Sequence, residues 1–176
     1  MGSEGAPADL AIRIARLEDR AAIQDLVVRY FLAADGDDLD ALTEIFTDDA
    51  TFRISGAVCG AGRDAVLAFL VAQRANMGLT VHTPNYALTT LAGEDRAQGL
   101  VGAHLELVLG GTAVYGAVRY CDEYVRIDGK WCIRDRDMRT IYLGRWNEAG
   151  QALAAAMPVQ WPGIDALPSD FPRRSG

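Results

Sequence analysis

The sequence is poor in histidine, with only His82 and His104. Neither an HxH nor an HExxH motif occurs, so no two histidines stand at the spacing that binds zinc. A GxSxG nucleophile elbow, a P-loop and a dinucleotide fingerprint behind a long strand are also missing. We therefore expect no metal ion and no cofactor, and the scarcity of histidine narrows the candidates for an imidazole base to two residues.

Basic residues are outnumbered, with 17 Lys and Arg against 24 Asp and Glu, a formal net charge of −7 and a pI of about 4.8. This balance argues against binding to nucleic acids or to anionic membranes. No apolar run approaches the roughly 20 residues that span a bilayer, and the first residues lack the pattern of a secretory signal. The three cysteines show no CxxC spacing, so we expect reduced thiols in the cytoplasm.

Hydrophobic periodicity predicts helices first and strands afterwards. The predicted helices are Leu10–Ala34, Leu39–Phe46 and Arg63–Ala75, and the predicted strands are 50–55, 79–88, Ala97–Leu109, Thr112–Ile127 and Trp131–Leu143. Gly-Gly at 110–111 and Asp-Gly at 128–129 predict hairpin turns. The order indicates an α+β fold, in which a curved antiparallel sheet forms a cone around the N-terminal helices. We expect a flexible leader over 1–9, one domain over 10–145 and a tail over 146–176 with a possible short helix.

The C-terminal end of the first predicted helix is followed directly by an acid, Asp35. A helix C-terminus carries partial negative charge, so a carboxylate there is mildly unfavourable and a functional role is a reasonable explanation. The apolar face of this helix is predicted to contain Ile12, Leu17, Ile23, Val27, Tyr30 and Phe31.

The predicted strands differ in how cleanly they alternate. Residues Val101, Ala103, Leu105, Leu107 and Leu109 share one face of their strand, opposite His104. In the last strand, simple alternation puts Cys132, Arg134, Arg136 and Met138 on one face and Trp131, Ile133, Asp135, Asp137 and Arg139 on the other. Neither face is cleanly apolar, which predicts that at least one arginine points into a polar pocket.

Three stretches resemble a known superfamily: "RAAIQDLVVRYFLAADGDDLDALTEIFTDDATF", "VHTPNYAL" and "YCDEYVRIDGKWCIRDRDMRTIYL". With the helix–meander order they are similar to SnoaL-like proteins, which have the nuclear-transport-factor-like cone fold, and within these to the scytalone dehydratase, lindane dehydrochlorinase and bile-acid dehydratase group. The resemblance covers about residues 10–145. It implies that Asp35 orients His82 as the general base, that Tyr30 faces the pocket and that Arg136 holds the leaving group. His104 does not match a second catalytic histidine.

The resemblance implies cofactor-independent elimination by a dehydratase or lyase, with isomerisation or cyclisation as related outcomes. The substrate would be ring-shaped and mostly apolar, such as a polyketide or steroid, in a pocket that includes Leu105, Phe31 and Met138. Three alternatives remain open. These are a small-molecule-binding or assembly module, the structural small subunit of a ring-hydroxylating dioxygenase, and an epoxide hydrolase with an Asp–Arg–Asp set. The segment "DRD" at 135–137 has the residue types for the last of these, but strand alternation puts Arg136 on the face opposite both acids.

The resemblance also implies a homo-oligomer, either a trimer or a dimer. Candidate contact residues on the outer sheet face and in the aromatic tail are His104, Tyr115, Arg119, Trp146 and Trp161. The tail is expected either to close the mouth of the cone or to wrap around a neighbouring subunit.

Overall fold

A computed structural model describes residues 5–171 of the chain. The helices are α1 (Gly5–Asp35), α2 (Leu39–Ile45), α3 (Arg63–Arg74) and α4 (Ala149–Ala154), with a short 3₁₀ turn over Trp146–Glu148. The strands are β1 (Phe46–Ile54), β2 (Ala57–Ala61), β3 (Met77–Leu91), β4 (Arg96–Leu109), β5 (Thr112–Ile127) and β6 (Lys130–Arg145). The predicted leader overlaps α1, because residues 5–9 are helical, and residues 1–4 lie outside the described residues.

The strands form one sheet of six in the order β2-β1-β6-β5-β4-β3. The predicted α+β class is confirmed, and β3 to β6 form the predicted antiparallel meander. The prediction of a wholly antiparallel sheet is wrong at one junction, because β1 lies parallel to β6. Strand β2 is not among the predicted strands.

Both predicted hairpin turns are present. Gly110 and Gly111 have φ values of 54° and 79°, and Asp128 and Gly129 have values of 49° and 79°. Two successive residues with positive φ give the type I′ turn, whose twist matches that of the strands it joins.

Two bulges in β6 overturn the predicted faces of that strand. The pairing with β5 skips Arg134 and then Ile141, and each extra residue exchanges the two faces of the strand. As a result Trp131, Ile133, Arg136, Thr140 and Leu143 are all buried. Simple alternation had predicted that Cys132 and Arg136 share one face of the strand. Because of the bulge at Arg134, Cys132 instead lies on the face opposite to Arg136.

The core forms between the C-terminal half of α1 and the inward row of β4. Ile23, Val27, Tyr30 and Phe31 of α1 are buried, as are Val101, Ala103, Leu105 and Leu107 of β4. Ile12 and Leu17 were predicted for the same face of α1, but both are exposed. Residues 9–18 of α1 thus lie outside the core.

Candidate active site

Asp35 and His82 are in direct contact where the end of α1 meets β3. Asp35 Oδ1 lies 2.6 Å from His82 Nδ1, and Asp35 Oδ2 accepts a hydrogen bond of 2.8 Å from the backbone N–H of His82. Only 21% of the Asp35 side chain and 14% of the His82 side chain are exposed. The carboxylate therefore fixes both the position and the orientation of the imidazole.

This contact determines which nitrogen of His82 is available for chemistry. A carboxylate accepts from Nδ1–H, so Nε2 carries the free lone pair. Phe31 stacks on the imidazole with ring centroids 5.1 Å apart and an interplanar angle of 20°. His82 lines the main cavity, whereas Phe31 supports the ring from behind and is not among the lining residues, which differs from its predicted place.

The cavity has a volume of about 680 Å³ and is mostly apolar. Its apolar lining comes from every layer of the fold and comprises Ala34, Leu39, Leu42, Phe52, Ile54, Phe69, Leu70, Val71, Ala75, Met77, Leu105, Leu107, Leu109 and Met138. Leu105 and Met138 are where the sequence predicted them. The C-terminal segment adds Trp161, Pro162 and Ile164, so this part of the tail covers the cavity of its own chain.

Tyr30 and Tyr120 bring phenol groups to the same cavity. Both side chains are almost fully buried, and their ring centroids lie 6.2 Å apart. Burial raises the pKa of the Tyr30 phenol, and the nearby Arg136 charge offsets this only in part. Burial likewise holds the pKa of Tyr120 well above its ordinary value. Both groups remain protonated at neutral pH and can donate hydrogen bonds.

Arg136 lies beneath the cavity and not in it. Its side chain is completely buried, and Nε and Nη2 donate to the two carboxylate oxygens of Asp122 over 2.8 and 2.7 Å. Tyr124 donates to the same carboxylate over 2.6 Å. Burial alone would lower the pKa of Arg136, but the charge and hydrogen bonds of Asp122 raise it. The predicted direct contact between Arg136 and a leaving group is therefore not supported by its position.

The guanidinium of Arg136 acts on the cavity through Tyr30. Its central carbon lies 3.9 Å from the centroid of the Tyr30 ring and 4.8 Å from that of Tyr120. A desolvated cation against an aromatic face is attracted by the ring quadrupole. Within the described residues, Arg136 Nη1 is buried without a hydrogen-bond partner. The contact with the Arg136 guanidinium thus holds the Tyr30 ring in a fixed orientation.

The rim of the cavity carries a second polar group that the sequence analysis missed. Arg74 Nε and Nη2 donate to the carboxylate of Asp37 over 2.5 and 3.1 Å, and Nη1 donates to the hydroxyl of Thr80. The hydrogen bond from Arg74 lowers the pKa of Asp37. Asp37 has φ of 56°, which is left-handed backbone, two residues after the end of α1. No local sequence signal indicates its pairing with Arg74, because the two residues lie 37 positions apart.

The remaining predicted residues lie elsewhere. His104 is on the outer sheet face, 2.9 Å from Asn85 Nδ2 and stacked on Tyr115. In the "DRD" segment, Asp135 pairs with Arg53 and Asp137 with Arg139, so the two acids do not converge with Arg136 on one water site. No group of three or more metal-binding side chains occurs within residues 5–171. In the same part of the chain, no helix is both long and apolar enough to cross a membrane.

Comparison with known families agrees with this geometry. A model described as a SnoaL-like domain matches residues 15–137. The chain belongs to this SnoaL-like family. A search of curated protein sequences gave no match.

Several solved structures resemble the SnoaL-like chain. LinA is 26% identical with a TM-score of 0.70, and the match covers 89% of this chain and 98% of LinA. A protein proposed to be an aromatic ring hydroxylase, from Novosphingobium aromaticivorans, is 30% identical with a TM-score of 0.68, over 73% of this chain and 94% of that one. A scytalone dehydratase-like protein from the same species is 18% identical with a TM-score of 0.73, over 89% and 96%, which shows the fold alone.

Proposed function

We propose that the protein is a cofactor-independent lyase that eliminates water or halide from a ring-shaped, mostly apolar molecule. The observation that supports this most directly is the Asp35–His82 contact beside an apolar cavity. LinA, which is described as a hexachlorocyclohexane dehydrochlorinase, is a structural neighbour and carries out an elimination. The family and the geometry together favour an acid–base enzyme over a passive binding protein.

In the proposed reaction, His82 Nε2 removes a proton from a substrate carbon. The electrons of that C–H bond form the new double bond, and the bond to the neighbouring leaving group breaks with its electron pair on that group. A halide departs directly, whereas a hydroxyl must gain a proton, which the His82 imidazolium can return to it. Asp35 stabilises the imidazolium between these steps. A positioned general base contributes about 10²–10⁴-fold to such a rate.

Tyr30 and Tyr120 are the proposed donors to the departing group, or to a substrate carbonyl oxygen that becomes enolate-like when the abstracted proton is next to a carbonyl. Because the pKa values of both phenols are raised, they act as hydrogen-bond donors and do not become phenolates. Arg136 is a positioning residue in this scheme, since it contacts the Tyr30 ring and not the cavity. On a carbonyl substrate the same base and donors would also serve an isomerase, in which the enolate is reprotonated at another carbon, or an aldol-type cyclase, in which the enolate carbon attacks a second carbonyl.

The proposal is tested with cyclic alcohols and chlorinated cyclic compounds, by measuring alkene formation and halide release. His82→Gln should reduce turnover at least 10²-fold. His104→Gln is the matched control and should leave turnover unchanged, because His104 lies on the outer sheet face. Deuterium at the abstracted position should slow the wild type. Equal activity of the His82 and His104 variants would rule out the proposed base.

A second candidate is a ligand-binding or assembly module, including a dioxygenase small subunit. The 30% identity to a protein proposed to be an aromatic ring hydroxylase favours keeping it. The His82→Gln variant distinguishes the two candidate functions when it is tested with a compound that binds in the cavity. If the compound binds equally well to wild type and variant and is never converted, the binding module is favoured. Conversion that depends on His82 favours the enzyme.

A further inference from the structure

Helix α1 carries an apolar stripe on the side opposite to its buried face. The stripe consists of the apolar residues Leu10, Ile14, Leu17, Ala21 and Val28 together with one polar residue, Gln24, and all six are exposed. The spacing alternates four and three residues, which is the a/d heptad pattern of a coiled coil. Residues Ile23, Val27 and Tyr30 of the same helix point into the core instead.

Residues 9–18 of α1 make little contact with the rest of the described chain. Residues 9–18 are exposed around the whole helix, and Leu10 and Leu17 are 54% and 65% exposed. The contact with the domain starts at Asp19, which accepts from Trp131 Nε1 over 3.0 Å and pairs with Arg126 over 2.9 Å. A helical segment this short gains little stability alone in water and needs a packed face. Its exposed leucines and isoleucines thus indicate a partner.

We propose that this stripe pairs in parallel with the same stripe of a second copy of the chain. The a positions would be Ile14, Ala21 and Val28, and the d positions Leu10, Leu17 and Gln24. β-Branched residues at a and leucine at d favour parallel two-stranded coiled coils. Ile14, Val28, Leu10 and Leu17 follow this rule.

The flanking charges select a parallel second copy. Arg13 and Arg20 fall at g positions, and Glu18 and Asp25 fall at e positions. In a parallel pair, g of one helix faces e of the next heptad on the other, so Arg13 meets Glu18 and Arg20 meets Asp25. In an antiparallel pair, g faces g and e faces e, which opposes arginine to arginine and acid to acid. Charge complementarity therefore supports parallel self-association.

The position of the domain leaves room for this pairing. Asp19 falls at the f position, opposite the a/d seam, and it is Asp19 that holds α1 to Trp131 and Arg126. The two domains would therefore lie on the outer sides of the helix pair. This inference does not depend on the proposed function, because no stripe residue lines the cavity.

The test is a charge exchange followed by sedimentation velocity over a range of protein concentrations. The acidic variant Arg13→Glu with Arg20→Glu and the basic variant Glu18→Arg with Asp25→Arg should each dimerise roughly 30-fold more weakly than wild type, because four attractive pairs become repulsive. An equimolar mixture of the two variants should associate again, since acidic g positions then face basic e positions.

Controls separate this contact from other effects. Arg16→Glu with Arg96→Glu makes the same charge change away from the e and g positions and should leave dimerisation unchanged. Far-UV circular dichroism verifies that each variant is folded. Leu10→Cys should form a disulfide between two Leu10 positions only in a parallel, in-register pair. A wild-type monomer, or an oligomer whose mass is the same in the acidic, basic and mixed samples, overturns the proposal; in the second case the outer sheet face is the contact.

Discussion

Asp35 holds His82 at two points, one on the ring and one on the backbone. Oδ1 lies 2.6 Å from Nδ1, and Oδ2 accepts from the backbone N–H over 2.8 Å. The carboxylate stands at the negative end of the α1 dipole, which is an unfavourable place for it. The two hydrogen bonds offset that cost and leave His82 Nε2 as the nitrogen that serves the cavity.

We first predict that Asp35→Asn moves the proton on the His82 ring. The amide oxygen of Asn must accept from the backbone N–H, which leaves its NH₂ group facing Nδ1. Nδ1 then becomes the acceptor and the proton moves to Nε2, so the variant loses its base although the geometry is kept. Imidazole ¹⁵N shifts at a pH where the ring is neutral should show Nδ1–H in the wild type and Nε2–H in the variant.

His104 is the internal control for this measurement, because it lies on the outer sheet face beside Asn85. Its shifts should be the same in both proteins. If the His82 proton stays on Nδ1 in Asp35→Asn, the carboxylate does not determine the tautomer and the proposed role of Asp35 is wrong.

The sequence predicted the helices, most strands and both turns, and the family resemblance predicted the contact between Asp35 and His82. The buried network of Asp122, Tyr124 and Arg136 was not predicted. The α+β class, the helices and both I′ turns follow from local patterns that the structure keeps. The proximity of Asp35 and His82 came only from the family resemblance. Nothing local to either residue indicates that the end of α1 meets the sixth residue of β3, because that contact depends on how the sheet curves.

Asp122 shows why the network was missed. Counting back from the Asp128–Gly129 turn pairs Asp122 with Asp135, which would oppose two acids. The bulge at Arg134 shifts the register by one residue and pairs Asp122 with Arg136 instead. A bulge follows from packing across the whole sheet, so the sequence alone does not locate the buried ion pair that it creates.

The second prediction concerns this ion pair. Arg136→Met leaves the Asp122 carboxylate buried and uncompensated, and it should lower the free energy of unfolding by about 3–5 kcal/mol. Asp122→Leu should lower the free energy of unfolding by a similar amount, because it leaves the Arg136 guanidinium buried and uncompensated. The double variant should lose much less than the sum of the two, because neither charge remains. Urea denaturation of all four proteins measures this, and additive losses would show that the two residues are not energetically coupled.

The third prediction is that Tyr30→Phe distinguishes the contribution of the Tyr30 hydroxyl from that of its ring. The ring still stacks on Arg136, so the variant should fold normally. Removing one donor to a developing oxyanion typically lowers kcat by about 10²–10³-fold. The check is kcat and KM on whichever substrate the elimination screen finds, with Tyr115→Phe on the outer sheet face as the control. An unchanged kcat would remove Tyr30 from the mechanism.

The raised pKa of Tyr30 gives the same variant a pH signature. The unfolded phenol ionises near its ordinary value of 10.0, whereas burial keeps the folded phenol protonated. The contribution of the protonated Tyr30 phenol to stability is therefore fully present below pH 10 and is lost as the pH rises above it. Tyr30→Phe lacks this contribution, so between pH 8 and 10.5 its unfolding free energy should fall less than that of the wild type. Equal falls would mean that Tyr30 titrates alike in both states.

The last prediction is that the C-terminal strap over residues 155–171 governs access to the cavity. One end is held to β6 by hydrogen bonds between Leu143 and Pro158 and between Leu143 and Gln160, of 2.9 and 2.8 Å. The other is held by Asp170, whose carboxylate accepts from Ser55 Oγ and from the backbone N–H of Thr140, both over 2.7 Å.

Asp170→Ala removes both of these hydrogen bonds and should loosen the second end, where only the backbone hydrogen bond of 3.0 Å from the N–H of residue 170 to the carbonyl of Thr140 remains. Hydrogen exchange over residues 160–170 should rise roughly tenfold, because two bonds to a charged acceptor are lost. KM should rise more than kcat falls, since the strap carries Trp161 and Ile164 of the cavity wall but not the dyad. Asp165→Ala, an exposed position in the same strap, should change neither. If Asp170→Ala exchanges like the wild type, the strap is held by its apolar contacts with the cavity and not by this carboxylate.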